Sequence, residues 1–379
     1  MNHSQHARCL RLAVFLLAMP LGVVKAQLTT GSGVAAPPLN LAEIERRAVQ
    51  QILASAGGDD TQARTNAIES CEFLELRRAT PQLQLALEDD AVPVRFAALV
   101  TIGRLKVRSL VPSVNRVLKQ DGLDFHVHAA ALFALYRCGQ QVDLTLMARM
   151  LRSADAALRG NAALLLGMTG DRSAVPMLKA LGRAPLPATM SHVAGVIVRI
   201  QVAEARARLG DESAMSMIRS GLFSSYDEVR VLAAIMLGRM GDEKMEEAFF
   251  GIIRDDKDAT IELKLVALDA LARMDRNLTV LNEAMESLYL VLDAAAMQSP
   301  VIRAQAARTL GSVEAARRRG LARMDRSSAL TPPEVIRQFQ RGDGAAALLR
   351  LLDDPVQTVR LAAAAAWLQV VRQAAATGG

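Results

Sequence analysis

The chain has few aromatic side chains and few cysteines. Phe, Tyr and Trp together make up 3% of its 379 residues, with a single Trp, and there are three Cys. A groove that stacks sugars or nucleic-acid bases needs exposed aromatic rings, so this composition argues against that class of site. No two cysteines form a C-x-x-C pair, which excludes the usual haem-attachment, thiol-redox and zinc-knuckle motifs.

Familiar catalytic motifs are also missing. The chain contains no G-x-S-x-G sequence and no P-loop. Of the five His, three follow residue 26, namely His126, His128 and His192. His126 and His128, close to Asp124, form the most metal-like group, but an i,i+2 spacing on a helix points the two imidazoles apart. We therefore predict no catalytic residue, no cofactor and no metal site.

The first 26 residues differ in composition from the rest. Arg8 and Arg11 precede a run of 13 apolar residues at 12–24, and Lys25 and Ala26 follow it. A basic stretch, a short apolar run and small residues, in this order, are typical of a secretory signal peptide. A helix of that length reaches about 20 Å, short of the roughly 30 Å of bilayer hydrocarbon.

We therefore expect an exported protein, periplasmic or extracellular, that loses residues 1–26. The alternative is an uncleaved N-terminal anchor; with cleavage, the mature chain would not be an integral membrane protein. Cleavage removes Arg8, Arg11 and Lys25 and no acidic residue, which lowers the formal net charge from +6 to about +3. So small a charge does not favour nucleic acid as a partner.

One pattern recurs nine times along the remaining chain. Each copy has Arg, Lys or His at one fixed position, which we call the ladder position; an apolar residue precedes it in all nine copies, and Ala follows three positions later in eight. The ladder residues are Arg64, Arg95, His128, Arg159, Arg199, Arg230, Lys264, Arg303 and Arg360. Apolar residues recur at offset +7, and Gly occupies offset +8 in four copies. Offsets −1, +3 and +7 lie near one helical face, so each copy predicts a helix with a buried face.

A second apolar helix follows each copy, and acidic residues such as Asp155 and Asp227 precede the first. Asp there can cap the exposed N–H groups of a helix. The unit is thus an acidic cap, a helix A with the ladder residue, a turn and a helix B. Residues 155–178, DAALRGNAALLLGMTGDRSAVPML, resemble the HEAT repeat in its short bacterial form, first described in phycobilisome lyases.

This resemblance covers roughly residues 59–373 and implies an all-α solenoid, a superhelix of about nine HEAT-like helix pairs that share a continuous core. It is specific for the fold and carries little about function. The repeat type suggests a pigment lyase, but an exported location disagrees with a cytoplasmic pigment-attachment role.

The repeat pattern divides the chain into six segments. They are a signal peptide at 1–26, a flexible leader at 27–40, an N-terminal capping helix at 41–57, HEAT-like repeats at 58–316, a basic insertion at 317–341 and terminal repeat helices at 342–375. The pattern is broken at 182–191 and above all at 317–341. Insertions in solenoids often decorate one face, so we expect functional residues at these two breaks.

Cys71 and Cys138 fall two repeat units apart. At a helix-packing distance of about 10 Å per unit, the two cysteines are separated by about 20 Å. A disulfide needs Cα atoms within about 7 Å, so we expect two buried free thiols.

Two groups of basic residues are candidate sites. The ladder residues could form a row of ligand-binding charges, but nine recurrences in one frame favour a structural role, in which each pairs with an acid or a turn carbonyl and sets the geometry between repeats. The second group is a basic cluster beside the largest break: Arg317, Arg318, Arg319, Arg323 and Arg326. It could bind an acidic protein or another anion; the alternative is a solvated connection.

We interpret the chain as an exported HEAT-like scaffold that binds a protein, of unknown identity, along its concave face or at 317–341. Two alternatives stay open: a subunit or accessory of an envelope enzyme, and a structural spacer. A groove on the concave face would favour the scaffold. A deep pocket with converging titratable groups would favour the enzyme subunit, and a uniformly polar surface would favour the spacer.

Overall fold

The computed structural model describes residues 40–274, 288–297, 299–326 and 343–377, and in these segments the chain is helical, without β-strands. The helices are α1 (Leu41–Ala56), α2 (Thr61–Ser70), α3 (Leu76–Ala86), α4 (Val92–Leu105), α5 (Val111–Leu118), α6 (Phe125–Arg137), α7 (Thr145–Met150), α8 (Ala156–Thr169), α9 (Val175–Arg183), α10 (His192–Arg208), α11 (Met215–Gly221), α12 (Asp227–Met240), α13 (Glu246–Arg254), α14 (Ile261–Met274), α15 (Leu288–Ala295), α16 (Pro300–Arg326), α17 (Asp343–Leu351) and α18 (Gln357–Thr377). Within these segments, no helix combines the length and the apolar content needed to cross a bilayer.

The helices alternate between two kinds, as the repeat predicts. The A helices, which carry the ladder residues, are α2, α4, α6, α8, α10, α12, α14, α16 and α18. They are buried on several sides: α4 buries eight of its 14 residues, whereas the B helix α5 buries only Ser113, Val114 and Val117. Each A helix packs against the A helix before it and the A helix after it, so its surface is shared among several neighbours. The predicted all-α solenoid of helix pairs is confirmed.

Small residues allow the A helices to approach closely. A Cβ atom at Gly238 of α12 would lie 2.8 Å from the Cα atom of Ala270 on α14, and one at Gly167 of α8 would lie 2.7 Å from the Cα atom of Ala205 on α10. Both glycines occupy offset +8, where the sequence pattern indicated close approach. A side chain at this offset would therefore push two neighbouring A helices apart.

The array closes on itself. The last A helix, α18, packs against α16 and also against α1 and α2. Arg372 of α18 donates hydrogen bonds to the carbonyls of Glu72 and Leu74, both at 2.9 Å. Gln357, at the start of α18, donates to Ser55 Oγ at 3.0 Å. The A helices thus follow one another around a closed ring.

Helix α1 completes this ring. The sequence predicts a capping helix at 41–57; in the structure α1 lies between α18 and α2 and packs against both. Each B helix in the array packs against the A helix that follows it, and α1 stands in this relation to α2. Helix α1 therefore takes the place of a B helix between α18 and α2, and its buried face includes Ile44, Val49 and Ile52.

Candidate functional site

The ladder arginines connect successive loops. Arg64 donates to the carbonyl of Gly58, in the loop before its own helix, at 3.0 Å, and forms an ion pair with Asp89, in the loop before the next A helix, at 2.8 Å. Arg303 does the same with the Met297 carbonyl at 2.9 Å and Asp354 at 2.7 Å. Each of these arginines therefore ties its own repeat to the next one.

Other ladder residues use all or part of this arrangement. Arg230 binds the Leu222 carbonyl at 3.2 Å and also pairs with Asp256. Donation to carbonyls of the preceding loop recurs at Arg95, Arg159 and Arg360. The side chains of His128, Arg199 and Lys264 make no hydrogen bond to any described residue. Six of the seven ladder guanidinium groups are thus occupied by contacts within the fold.

The basic cluster lies within α16, so residues 317–326 of the predicted insertion continue an A helix. Arg317 and Arg318 both pair with Glu314, at 2.6 and 2.9 Å, and Glu314 is buried. Arg319 donates to the carbonyl of Ala272, near the end of α14, at 3.1 Å. The side chains of Arg323 and Arg326, and residues 327–342, lie outside the described part of the chain. The side chains of Arg317, Arg318 and Arg319 therefore bind groups within the fold.

The His and Cys residues lie in or beside the core. His126 is buried, with its Nδ1 atom 2.8 Å from Nδ2 of Asn161, and burial lowers its pKa. His192 packs against Tyr226. Cys71 and Cys138 are buried free thiols, and burial raises the pKa of Cys71 to about 12. Among the described residues, no three His, Cys, Asp or Glu side chains are arranged to hold a metal ion.

A second set of arginines recurs nine positions after the ladder position, near the C-terminal ends of the A helices. We call these the inner arginines: Arg104, Arg137, Arg208, Arg239 and Arg273. Our sequence reasoning missed them, because it followed apolar offsets and expected functional residues where the repeat breaks. The signal was present, since the same frame that locates Arg230 also locates Arg239.

Four inner arginines have partners. Arg208 pairs with Glu204 at 2.7 Å and Arg273 with Asp269 at 2.7 Å, in each case four residues earlier on the same helix. Arg104 pairs with Glu72. Arg137 donates to the carbonyls of residues 103 and 169, at 3.4 Å each. These contacts occupy guanidinium groups that would otherwise stand unpaired at the helix ends.

Arg239 is the exception. The residue four positions before it is Ile235, so the preceding turn of its own helix offers no carboxylate at that position. In the part of the chain that the structure describes, no group accepts a hydrogen bond from its side chain, although Arg208 and Arg273 stand on the adjacent A helices α10 and α14. Burial lowers the pKa of Arg239, and the charges of Arg208 and Arg273 act in the same direction.

The inner sides of the A helices face one another across the ring. Glu69 of α2 is acted on by the charges of Arg239 of α12 and Arg308 of α16, helices far apart in the sequence. Burial raises the pKa of Glu69 to about 7, against the opposing effect of these arginines. Glu69 is nevertheless partly exposed, which indicates an enclosed but wet interior. We call this surface the inner face.

A cavity of about 340 Å³ opens between the C-terminal ends of α12 and α14 and the helices α16 and α18. Its walls include Arg239, Arg273, Arg319, Ser312 and Gln369. Ser312 is only 2% exposed, and its Oγ atom has no hydrogen-bond partner. The cavity therefore combines guanidinium groups with a buried, unsatisfied hydroxyl, and such a set of groups can bind an anion.

No family model and no curated protein matches the sequence. The chain is similar to the CpcE–CpcF complex of phycocyanin lyase from Nostoc (20% identity over 70% of this chain and 98% of that one, TM-score 0.39). It is also similar to human deoxyhypusine hydroxylase (16% identity over 72% of this chain and 98% of that one, TM-score 0.34). A third similar structure is an archaeal HEAT-like repeats protein from Thermococcus onnurineus (15% identity over 74% of this chain and 98% of that one, TM-score 0.28). The paired helices and their repeat pattern are HEAT-like, and the chain has an all-α helical repeat fold.

Proposed function

We propose that the protein is an exported, non-enzymatic scaffold that binds a protein partner on one edge of its helical ring. The edge is the one at which each B helix connects to the next A helix. Because the ring is closed, its inner face does not present the long concave groove of an open superhelix. A large partner therefore has access mainly to the edges and to the outer surface.

The distribution of exposed large apolar side chains carries this proposal. Among the described residues there are six, and four lie at the B-to-A edge: Leu85, Phe125, Phe223 and Val301. Phe223 and Leu85 are the most exposed of all, at 71% and 69%. Leu76 and Met217 lie in the N-terminal halves of B helices, away from this edge. Single exposed apolar residues are ordinary, but four of these six lie on one edge, which makes this edge the more apolar exposed surface and favours docking there.

The rigidity of the ring also favours this role. The ladder ion pairs tie the loops of this edge to each other, so docking there would order few mobile groups. Binding to a pre-organised surface avoids part of the entropy cost of association. The cavity walls named above contain neither a carboxylate nor a His, which supports ligand binding in preference to acid–base catalysis.

The test places a photo-reactive amino acid at Leu85, Phe125 or Phe223, and at Leu76 or Met217 as matched controls, in cells of the source organism. We expect one protein to be cross-linked reproducibly from the first three positions and not from the two controls. The triple variant Leu85→Ser, Phe125→Ser, Phe223→Ser should lose that product while its melting temperature changes little, because exposed substitutions usually cost no more than about 0.5 kcal/mol. Equal cross-linking from both sets would refute docking at this edge.

Export rests on the composition of residues 1–26, which lie outside the described part of the chain. We expect the mature protein to begin close to Gln27. Edman sequencing or intact mass of the protein purified from its natural host measures this directly. A retained Met1 in the folded protein would show that the segment is not a cleaved signal.

A further inference from the structure

Arg239 is a charged group in an enclosed place without a counter-charge of its own. Its neighbours on the adjacent A helices, Arg208 and Arg273, carry the same charge and are already paired with Glu204 and Asp269. The side chain of Arg239 is exposed to solvent, and the charges of Arg208 and Arg273 disfavour its own. A bound anion would offset this repulsion between like charges.

Ser312 supplies an independent observation on the same cavity. A serine within a helix can satisfy its hydroxyl on a carbonyl one turn earlier. The Oγ atom of Ser312 makes no such bond and has no other partner, although the residue is 2% exposed and lines the cavity. Buried hydroxyls are almost always hydrogen-bonded, so the Oγ atom of Ser312 is a hydrogen-bonding group open to a molecule in the cavity.

The acidic groups near the cavity do not neutralise it. Asp269 and Glu204 form the ion pairs already described. Glu69, the other carboxyl that acts on Arg239, has a pKa raised to about 7 by burial and so is partly protonated at neutral pH. The charge of Arg239 is therefore left available, next to the guanidinium groups of Arg273 and Arg319 at the cavity wall.

We propose that this cavity binds a small phosphate-bearing anion, with Arg239 as its principal ligand and Ser312 as a second. Guanidinium groups bind phosphate through paired hydrogen bonds. The three guanidinium groups at this wall offer more hydrogen-bond donors than one carboxylate can accept, which favours phosphate over a carboxylate ligand. A volume of about 340 Å³ exceeds what a bare phosphate needs and lies within the range of about 300–1,000 Å³ of small-molecule sites. The ligand class is therefore a small phosphorylated molecule.

The experiment is calorimetric titration of the full chain with inorganic phosphate, against chloride at equal ionic strength. We expect phosphate to bind the wild type, and Arg239→Gln to weaken binding by about tenfold to a hundredfold, the usual loss for one charged hydrogen bond. Arg104→Gln is the matched control, since Arg104 is an inner arginine that is paired with Glu72 and does not line the cavity. It should leave phosphate binding unchanged.

Thermal melts separate ligand binding from a structural role of Arg239. Without phosphate, Arg239→Gln should melt at the same temperature as the wild type or higher, because an unpaired charge has been removed; with phosphate, only the wild type should gain stability. Ser312→Ala should fold and bind phosphate more weakly. The proposal is overturned if phosphate does not bind the wild type beyond chloride, or if Arg239→Gln binds it equally. Equal binding of acetate would overturn the assignment to phosphate.

Discussion

At the scale of single residues, Glu262 carries the clearest unfavourable contact. Its Oε1 atom is buried without a hydrogen-bond partner. Burial raises the pKa of this carboxyl to about 7; Arg308 opposes the shift and Asp227 adds to it. In an unfolded chain a Glu side chain has a pKa of about 4.3. The folded protein therefore holds a proton that the unfolded chain releases between these two values.

The sign of the pH effect follows from that difference. Where the folded state binds more protons, stability falls as pH rises, so the contribution of Glu262 is most favourable below about pH 4 and is lost by about pH 7. We expect Glu262→Gln to raise the free energy of unfolding by about 1–2 kcal/mol at about pH 8 and to have little effect at about pH 4. Urea melts at the two pH values measure this, with Glu247→Gln at an exposed site as control. An equal gain at both would contradict the assignment.

Two ion pairs, formed by the neighbouring residues Asp354 and Asp353, differ in burial, so they test how burial changes the contribution of an ion pair to stability. The Arg303–Asp354 pair has side chains 12% and 6% exposed, whereas those of Arg47 and Asp353 are 37% and 70% exposed. Removing one partner of a buried pair leaves an uncompensated charge, so Arg303→Ala should cost about 3–5 kcal/mol. Arg47→Ala should cost at most about 1 kcal/mol. Denaturant melts of both variants check this, and similar losses would show that the ladder does not stabilise the ring.

At the scale of helices, glycine at offset +8 sets the distance between A helices. Alanine is the better helix former by about 1 kcal/mol, but at Gly238 its Cβ atom would lie 2.8 Å from a backbone atom of the next helix. Overpacking of this kind costs about 1–3 kcal/mol, so we expect Gly238→Ala to be destabilising.

A glycine on a B helix gives the matched control. A Cβ atom at Gly251, within α13, would meet nothing within 4 Å. Gly251→Ala should therefore stabilise the protein by about 0.5–1 kcal/mol, which is the opposite sign for the same chemical change. Thermal or urea melts of the two variants suffice. A stabilising Gly238→Ala would mean that α12 and α14 can separate at little cost.

The sequence predicts these helices well because their pattern is local. Offsets −1, +3 and +7 locate each A helix, and Ala and Gly mark where the next helix approaches. The cavity could not be predicted in the same way. Its walls come from four A helices whose contributing side chains are far apart in the sequence. Whether Arg239 has a partner depends on contacts between helices, which the repeat pattern does not give. The repeat pattern, followed to offset +9, identifies the inner arginines, but it does not show which of them lacks a partner.

At the scale of the whole molecule, closure is the property that the repeat alone does not determine. It depends on small rotations between successive units, summed over all nine. The hydrophobic core reflects the closure: one cluster runs through α1 to α10 and continues, across the junction of the two ends, into α14, α16 and α18. A second cluster joins α10, α12 and α14. The two ends of the array are thus held together by the larger core.

Closure can be tested by a distance measurement across the junction. Arg47 and Asp353 lie 306 positions apart in sequence, yet their side chains form an ion pair at 2.6 Å. With spin labels at Arg47→Cys and Asp353→Cys, we expect a dominant distance below about 20 Å, whereas an open stack of nine units advancing about 10 Å each would separate the labels by several tens of ångströms. Cys71 and Cys138 are buried, so they should react slowly with the label, and an unsubstituted protein serves as the control.

A second variant, Ile52→Asp, places a charge at a side chain that is fully buried in α1. Because burial of an unpaired charge is unfavourable, we expect this variant to weaken the junction and shift the distances to longer values. A long distance in the doubly labelled protein without this change would show that the ring is open in solution.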